Sequence, residues 1–373
     1  MANMRPTKKK DLPKAQNLLS QPEIEARFTK RRLTLKSACQ KYGNVSALWG
    51  MRAIVRLPRF PPVVNVSVSY CPIPKTSSTT WKDIFAKIRG KMKRLKIPGV
   101  IPPSKTPDVR FVFVREPYSR LLSAYVDKLF SPHGMIWNTT GRDVIKNFRP
   151  NASSKSLECG HDVTFPEFIK YVISMEESGE DYNRHFVLSH KFCALCDYHY
   201  DYIGHLETIQ EDMPYILKAI QSPVTYSQTF DSVTIQKNTR MSLNRMKDAV
   251  SRCIDVHEAC IRLWKKWQIR GIIHTSQPFP LTREHTRDIT PEDFAKAALS
   301  AVARSGEVME RRGQKGEAAR EAYSGVDMAD RDKLQRLLAV DCHMFGFDPR
   351  PPHVFPVTPH TSHTHFSYFD LYQ

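Results

Sequence analysis

Residues 63–81 of the chain read VVNVSVSYCPIPKTSSTTW, and this stretch decides the fold. Its first eight residues alternate and are rich in β-branched side chains, which predicts a β-strand over residues 63–70. A loop of small hydroxyl residues follows. From Thr79 onward the apolar residues recur at helical spacing, namely Trp81, Ile84, Phe85, Ile88, Met92 and Leu95. A strand, a short loop and a helix in this order are typical of an α/β fold.

A second strand and helix follow in residues 109–125, VRFVFVREPYSRLLSAY. The continuous apolar run 109–114 predicts a strand buried on both faces of a parallel sheet. Pro117 suits the first turn of a helix, where no backbone N–H is needed. The predicted fold class is therefore α/β, with a P-loop-like central parallel sheet flanked by helices.

Two candidate anion sites lie directly after these strands. The first is the loop made of Pro74, Lys75, Thr76, Ser77, Ser78, Thr79 and Thr80. Backbone N–H groups at a helix N-terminus, with hydroxyls and a lysine, suit a phosphate. The loop lacks the Walker A spelling, and the alternative interpretation is a Ser/Thr-rich turn with a solvated lysine.

The second candidate site pairs Arg115, which leaves the strand, with Ser123 in the next helix. An arginine and a hydroxyl in these positions can converge on one anion. Arg120 has a structural alternative, since it stands four residues after Glu116 and can form an ion pair with it.

Composition narrows the function classes. The chain has 373 residues with 56 Lys+Arg and 38 Asp+Glu, a net charge of +18, and 41% hydrophobic residues. This composition excludes global disorder, and the charge favours an anionic partner. No run of 18 apolar residues and no signal-peptide core is visible. Four N-x-[ST] sequons stand at Asn44, Asn65, Asn138 and Asn151.

The chain divides into a predicted flexible basic arm (1–30), a main domain (31–348) and a loose Pro/His-rich tail (349–373). Within the domain we expect an exposed polar insertion at 131–160 and a charged variable segment at 282–322.

Four further elements are predicted from local patterns. Residues 31–43 favour a short helix ending at Gly43, residues 200–204 a strand, and residues 334–345 a final amphipathic helix. Two helices are expected to start with capping boxes, Thr164 with Glu167 and Thr208 with Glu211.

Two motifs carry a family resemblance. Residues 71–85 (CPIPKTSSTTWKDIF) and 113–128 (FVREPYSRLLSAYVDK) resemble the two cofactor motifs of Golgi carbohydrate sulfotransferases, which use 3′-phosphoadenosine 5′-phosphosulfate (PAPS). The nearest branch contains the chondroitin/dermatan 4-O-sulfotransferases and the HNK-1 sulfotransferase. Residues 183–212 (NRHFVLSHKFCALCDYHYDYIGHLETIQED) resemble a further family block. The resemblance covers roughly residues 30–220 and 320–350.

The resemblance implies roles for the matching residues. The loop 74–80 should hold the 5′-phosphosulfate, with Lys75 near the bridging oxygen, while Arg115 and Ser123 should hold the 3′-phosphate. His185 matches a family histidine and is the candidate catalytic base. The family usually has glycine where this chain has Ser77, and cysteine where it has Ser78. A serine at positive φ costs energy that glycine does not.

Glu207 and His205 follow the predicted strand 200–204. Glu207 matches a family glutamate that orients a loop or caps the next helix, and His205 stands where the family tends to have lysine. His205 is a possible contact to the acceptor.

The eight cysteines include Cys193 and Cys196 in a CxxC motif. This motif invites a zinc or redox interpretation, in which zinc would need His190, His199 or distant residues. The resemblance instead implies structural disulfides for this pair and for Cys253 and Cys260. Eight cysteines allow 105 connectivities, so the sequence leaves the pairing open.

The resemblance implies carbohydrate O-sulfation, with GalNAc of chondroitin or dermatan (4-O position) or a related terminal sugar as the expected acceptor. Basic residues of the helix 81–96 would bind the anionic glycan. The alternative is a non-catalytic protein that binds a polyanion such as a glycosaminoglycan. Neither nucleic acid nor a metal is expected.

By resemblance the protein should face the Golgi lumen and associate with the Golgi membrane. Asn138 and Asn151 are the candidate glycosylation sites.

Overall fold

A four-stranded sheet organises the protein in a computed structural model. The model describes residues 19–43, 54–57, 66–94, 108–226, 230–245, 252–306, 308–356 and 366–371. The strands are β1 (Val55–Leu57), β2 (Val68–Cys71), β3 (Val109–Val114) and β4 (Tyr202–His205). They lie in the order β1-β2-β3-β4, with β1 antiparallel to β2 and the other pairs parallel. The α/β prediction with a mostly parallel sheet is confirmed.

Helices surround the sheet and fill most of the described chain. In chain order they are α1 (Gln21–Tyr42), α2 (Ser78–Arg94), α3 (Pro117–Tyr125), α4 (Gly134–Ile136), α5 (Arg142–Phe148), α6 (Ser154–Cys159), α7 (Phe165–Ser178), α8 (Ile209–Ala219), α9 (Phe230–Arg245), α10 (Val256–Ile269), α11 (Arg283–Thr286), α12 (Pro291–Ala303), α13 (Val308–Ser324) and α14 (Met328–Phe345). Two π-helical turns, Val126–Phe130 and Trp137–Gly141, follow α3 and α4.

Both faces of the sheet are covered, as the apolar run in β3 predicts. Phe111 and Phe113 pack with Trp81 of α2 on one face. Val112 and Val114 point to the other face, where α3, α7 and α14 lie. Alternate residues of a strand point to opposite faces, so each half of this run belongs to a different core. The sheet, packed on both faces, thus fixes the positions of the loops that follow the carboxyl ends of its strands.

The segment 21–30 is not a flexible arm, because α1 begins at Gln21 and not near Arg31. Arg27 and Arg31 both donate to the buried carboxylate of Asp212 in α8, at 2.7 and 2.6 Å. Phe28 is fully buried against the sheet core. The basic composition of this segment therefore gave no sign of a docked helix, because its arginines pair with Asp212, which lies 185 and 181 residues further along the chain. The predicted helix end at Gly43 is correct.

The region 131–160 is likewise not an exposed insertion. It contains α4, α5, α6 and a π-helical turn, and it buries Ile136, Trp137, Val144 and Ile145. The π turn changes the helical phase, so these apolar residues show no single 3.6-residue period in the sequence. Asn138 and Asn151 are nevertheless exposed at its surface.

The C-terminal region is also more ordered than its composition indicates. Within the charged segment 282–322, α12 buries Phe294 and Ala298 against α10. In the tail, Val354 and Tyr368 are buried in the main core, which corrects the expectation of a loose tail for these residues. The tail histidines at 360, 363 and 365 lie outside the described residues.

One of the two predicted capping boxes forms. Thr164 and Glu167 cap α7 reciprocally. Thr208 makes no side-chain cap to α8, because its hydroxyl donates to Asp212, and Glu211 pairs with Arg27 at 2.6 Å. The prediction for Thr208 and Glu211 is therefore wrong, because both side chains bond to other partners, which include arginines of the docked helix α1.

Candidate active site

The loop after β2 turns the chain sharply into the N-terminus of α2. The Thr76 hydroxyl donates to the carbonyl of Ile73 at 2.8 Å, which closes the turn. Lys75 and Ser77 adopt positive φ values of 71° and 63°. The backbone N–H of Trp81 donates to the carbonyl of Ser77, so the helix starts at Ser78. The first N–H groups of a helix have no intrahelical acceptor, and they suit an anion at this point.

The loop residues divide into structural and accessible ones. Pro74 and Thr76 are buried and support the turn. Ser77, Ser78 and Thr80 are partly exposed, and Thr79 is exposed. The hydroxyls available to a ligand are therefore those at the start of α2.

Lys75 extends from this loop into a cluster of charges. Its ammonium lies 3.0 Å from Asp127 in the π turn after α3. Asp127 also contacts Lys266 of α10 at 2.8 Å and Lys128 at 3.5 Å. Burial lowers the pKa of Lys75 to about 7, and Asp127 opposes this shift while Arg270 and Lys266 add to it. One carboxylate thus stands among several cations, which favours a bound anion.

His185 belongs to the same cluster. Burial, followed by the charges of Lys128 and Lys75, lowers its pKa to about 3. Its Nδ1 atom is buried and has no hydrogen-bond partner among the described residues. The imidazole is therefore neutral at physiological pH and has a free ring nitrogen.

Arg115 stands at the carboxyl end of β3, next to the loop that follows β2. Within the described part of the chain, no hydrogen bond or ion pair engages its partly buried guanidinium. Burial lowers its pKa to about 10, which leaves it charged at neutral pH, and Glu207 opposes the shift. Ser123 is partly buried in α3, two turns after Arg115. A charged arginine without a protein partner is suited to a ligand phosphate.

Glu116 and Arg120 do not pair with each other, which corrects the structural alternative for Arg120. The carboxylate of Glu116 caps α3 by accepting from the N–H groups of Tyr118 and Ser119. Arg120 is fully buried and donates to the carbonyl of Val187 at 2.6 Å. Burial between α3 and the 180s loop therefore separates the pair, and Arg120 is not a ligand group.

His205 at the end of β4 and Glu207 two residues later make only local contacts. Glu207 accepts from the N–H of Glu116 at 3.0 Å, so it links the ends of β3 and β4 and orients the turn that follows Arg115. His205 stacks against Phe347, with ring centroids 4.7 Å apart, and is buried. This packing removes His205 from the acceptor contacts that the sequence suggested.

Three disulfides join distant parts of the chain: Cys39–Cys196, Cys71–Cys193 and Cys159–Cys253. The CxxC cysteines are thus both disulfide-bonded, which confirms the structural interpretation over zinc. Cys260 is a buried free thiol, so its expected disulfide is wrong, and Cys342 is also free. Cys71 ends β2, so its bond fixes the strand end that precedes the loop.

Sequence reasoning missed Asp127, Lys266 and Arg270. Asp127 lies within the quoted motif 113–128, where no pattern marked it. Lys266 is nearly buried although the helix around it is amphipathic, and the sequence WKKW at 264–267 is the one signal that could have found it. Among the described residues, no group of three or more His, Cys, Asp or Glu side chains is arranged to hold a metal ion.

Comparisons with known proteins give one family match and several curated relatives. A model described as the Sulfotransferase family matches residues 65–258, just over half of the chain. Human carbohydrate sulfotransferase 9 is 31% identical over 215 residues, 52% of this chain and 48% of the relative. Rat carbohydrate sulfotransferase 11 is 33% identical over 172 residues, 40% of this chain and 49% of the relative. Zebrafish (Danio rerio) carbohydrate sulfotransferase 14 is 27% identical over 213 residues, 52% of this chain and 57% of the relative.

The chain spans about half the length of the curated relatives it matches. No solved structure matches significantly. None of the helices in the described ranges is long and apolar enough to cross a membrane.

Proposed function

Because this chain belongs to the Sulfotransferase family, we propose that it transfers a sulfuryl group from PAPS to a hydroxyl of a glycan. PAPS carries a phosphosulfate at one end and a 3′-phosphate at the other, so it needs two anion sites at a nucleoside's distance. The family match covers both motifs that would form these sites, residues 74–80 and residues 115–123.

One observation carries the proposal: two positively charged groups that suit anions directly follow two adjacent parallel strands. The loop with Lys75 follows β2, and Arg115 follows β3, its parallel neighbour. Ligands of open α/β sheets bind beyond the carboxyl ends of the strands, which is where both residues stand. The unpaired guanidinium of Arg115 and the free N–H groups at the start of α2 fit the two anionic ends of the donor.

The chain's own residues suit an in-line transfer. When bound, the donor supplies an activated sulfuryl group, whose bond to the bridging oxygen breaks as the acceptor oxygen bonds to sulfur. In this arrangement Lys75 would stabilise the negative charge that develops on the bridging oxygen. His185, neutral and with a free Nδ1 in the same cluster, would accept the proton of the acceptor hydroxyl.

The acceptor is proposed to be GalNAc of chondroitin or dermatan, at the 4-O position, or a related terminal sugar. This proposal rests on the resemblance, since the relatives' names specify only carbohydrate. The outer face of α2 carries exposed Lys82, Lys87, Arg89 and Lys91, which suits an anionic polymer. Arg89 and Lys91 already donate to backbone carbonyls, so Lys82 and Lys87 are the freer cations.

The compartment is proposed to be the Golgi lumen, with association to the Golgi membrane. Three disulfides support it, because such bonds persist in oxidising compartments. Asn138 and Asn151 are exposed and remain the candidate glycosylation sites. An electrophoretic shift on glycosidase treatment of the protein isolated from Golgi membranes, lost in the variant Asn138→Gln/Asn151→Gln, tests both assignments.

Transfer of radiolabelled sulfate from PAPS to desulfated chondroitin tests the function directly. Label in GalNAc 4-O-sulfate after enzymatic digestion would support the full proposal, and label at another position would correct the acceptor only. The rival is a polyanion-binding protein without catalysis. In favour of the rival, Ser77 stands at a positive φ where the resembled family usually has glycine. Binding of chondroitin with no transfer to any desulfated glycosaminoglycan would favour that rival.

A further inference from the structure

Asp127 is the one carboxylate in ion-pairing distance of Lys75 in the described part of the chain. Its Oδ2 atom lies 3.0 Å from the Lys75 ammonium, and its Oδ1 atom accepts from Lys266 at 2.8 Å. Each carboxylate oxygen thus serves a lysine from a different element. Lys75 comes from the loop after β2, whereas Lys266 comes from α10, beyond the matched family region 65–258.

The two lysines differ in what they can do. The Lys266 side chain is only 4% exposed, and Asp127 is its one ion-pair partner among the described residues. Lys266 therefore anchors Asp127 and has little access to a ligand. Lys75 is 15% exposed and lies in the loop that would receive the phosphosulfate. Asp127 thus connects the buried Lys266 to the more exposed Lys75 at the proposed reacting centre.

We propose that Asp127 is a positioning residue of the donor site: anchored by Lys266, it holds the Lys75 ammonium at the loop and keeps it charged until the donor binds. This inference rests on the proposed function. It assigns no contact between Asp127 and the donor, because a carboxylate repels a phosphosulfate. Its effect reaches the donor only through Lys75.

The charges around Lys75 explain why it needs such a residue. The groups that face Lys75 are Asp127 and Lys128 of the π turn, Lys266 of α10, Arg270 directly after α10, and His185. Burial and the neighbouring cations disfavour the charged form of Lys75, and Asp127 alone among these groups favours it. Removal of Asp127 therefore lowers the pKa of Lys75 below its value of about 7 and leaves the lysine neutral at the upper end of the neutral range.

Asp127→Asn should give a pH signature that a purely structural role does not. The probe is 3′-phosphoadenosine 5′-phosphate, with affinity measured by titration calorimetry between about pH 5 and 8.5. At about pH 5, below both midpoints, Lys75 is charged in both proteins, so the variant should bind as tightly as wild type or more tightly. At pH 8.5 it should bind severalfold more weakly, and the midpoint of its pH profile should shift down by about one unit, a tenfold effect on protonation.

Three further variants separate positioning from folding. Asp127→Asn/Lys75→Arg should lose the pH dependence, because arginine stays charged. Asp127→Asn/Lys266→Met removes the uncompensated buried lysine, so it should recover thermal stability. Its midpoint should rise partway but stay below that of wild type, because Asp127 acts on the pKa of Lys75 more strongly than Lys266 does. Asp83→Asn removes an exposed carboxylate on α2 that pairs with Lys237 at 3.2 Å, and it should match wild type.

The outcomes distinguish this inference from the function itself. A wild type that binds the probe, together with an Asp127→Asn profile of unchanged midpoint, overturns the positioning role and leaves the function standing. Full recovery of the wild-type midpoint in Asp127→Asn/Lys266→Met also overturns it, because Asp127 would then do no more for Lys75 than offset the charge of Lys266. Absence of probe binding by wild type at any pH overturns the proposed function and this inference together.

Discussion

At the scale of single residues, Arg115 is the residue proposed to recognise the donor's 3′-phosphate. Its guanidinium is charged and has no protein partner within the described ranges. We expect Arg115→Ala to weaken PAPS binding by about 1.5–3 kcal/mol, the cost of a lost charge-assisted hydrogen bond. Binding of adenosine 5′-phosphosulfate should change little, since this nucleotide has no 3′-phosphate. Competition binding of both nucleotides measures the difference.

Arg110 provides the matched control on the same strand. It lies at the start of β3, where its guanidinium stacks over Tyr198 at 4.4 Å. Arg110→Ala should leave the preference for PAPS over adenosine 5′-phosphosulfate intact. Equal losses for both nucleotides in Arg115→Ala would remove Arg115 from the 3′-phosphate site.

At the scale of elements, the junction between the loop and α2 stores backbone strain at Ser77. A non-glycine residue at φ 63° costs about 1–2 kcal/mol, and glycine gives back about 0.5–1 kcal/mol through its freer unfolded chain. We therefore expect Ser77→Gly to raise the free energy of unfolding by about 0.5–1 kcal/mol. Urea unfolding followed by circular dichroism measures it.

The neighbouring Ser78 supplies a control of opposite sign. It is the first residue of α2, so glycine there should destabilise the protein by about 0.5–1 kcal/mol. A loss of stability in both variants would mean that the Ser77 hydroxyl matters more than its backbone conformation.

At the scale of the whole molecule, the disulfides determine how the chain responds to thiol reagents. Six of the eight cysteines are paired, and the remaining Cys260 and Cys342 are buried. We expect no reactive thiol in the native protein, two after denaturation, and eight after denaturation with reduction. Titration with a thiol reagent counts them, and mass spectrometry of the unreduced digest identifies the pairs. Four thiols in the denatured protein would contradict one of the three disulfides.

The partly buried His185 and the buried His205 are expected to make the protein sensitive to acid. Burial lowers the pKa of His185 to about 3 and that of His205 to about 2, whereas unfolded histidine titrates near 6.5. Below pH 6.5 the unfolded chain binds protons that the folded chain does not, so stability falls as pH falls. Each such histidine contributes a slope of about 1.4 kcal/mol per pH unit.

The variant His205→Leu tests this slope because His205 packs against Phe347, where an apolar side chain is tolerated. Between pH 6 and 4 the free energy of unfolding should fall less steeply than in wild type, by about 1.4 kcal/mol per pH unit. Unfolding in urea at several pH values measures both slopes. Identical slopes would show that His205 is protonated in the folded protein.

The fold class and the residues of the two candidate anion sites could be predicted from the sequence alone. β-branched alternation, the apolar run 109–114 and Pro117 act over a few residues, so their signals survive without tertiary context. The loop from Pro74 to Thr80 and the position of Arg115 after β3 follow from the same local patterns. The strand predicted over 63–70 is observed as β2, Val68–Cys71, and its first residues lie outside the described ranges.

The ion pairs and disulfides between residues far apart in the sequence could be seen only in the tertiary structure. Asp212 accepts hydrogen bonds from two arginines of α1 and so docks this basic helix. Lys266 contacts Asp127, which lies 139 residues away in the sequence. The same holds for the partner of Cys253, which is Cys159 and not its near neighbour Cys260. Such pairings depend on how helices pack around the sheet, and no local propensity encodes that packing. The candidate anion-binding loop can therefore be predicted from the sequence, whereas the charges around its lysine come together only in the folded protein.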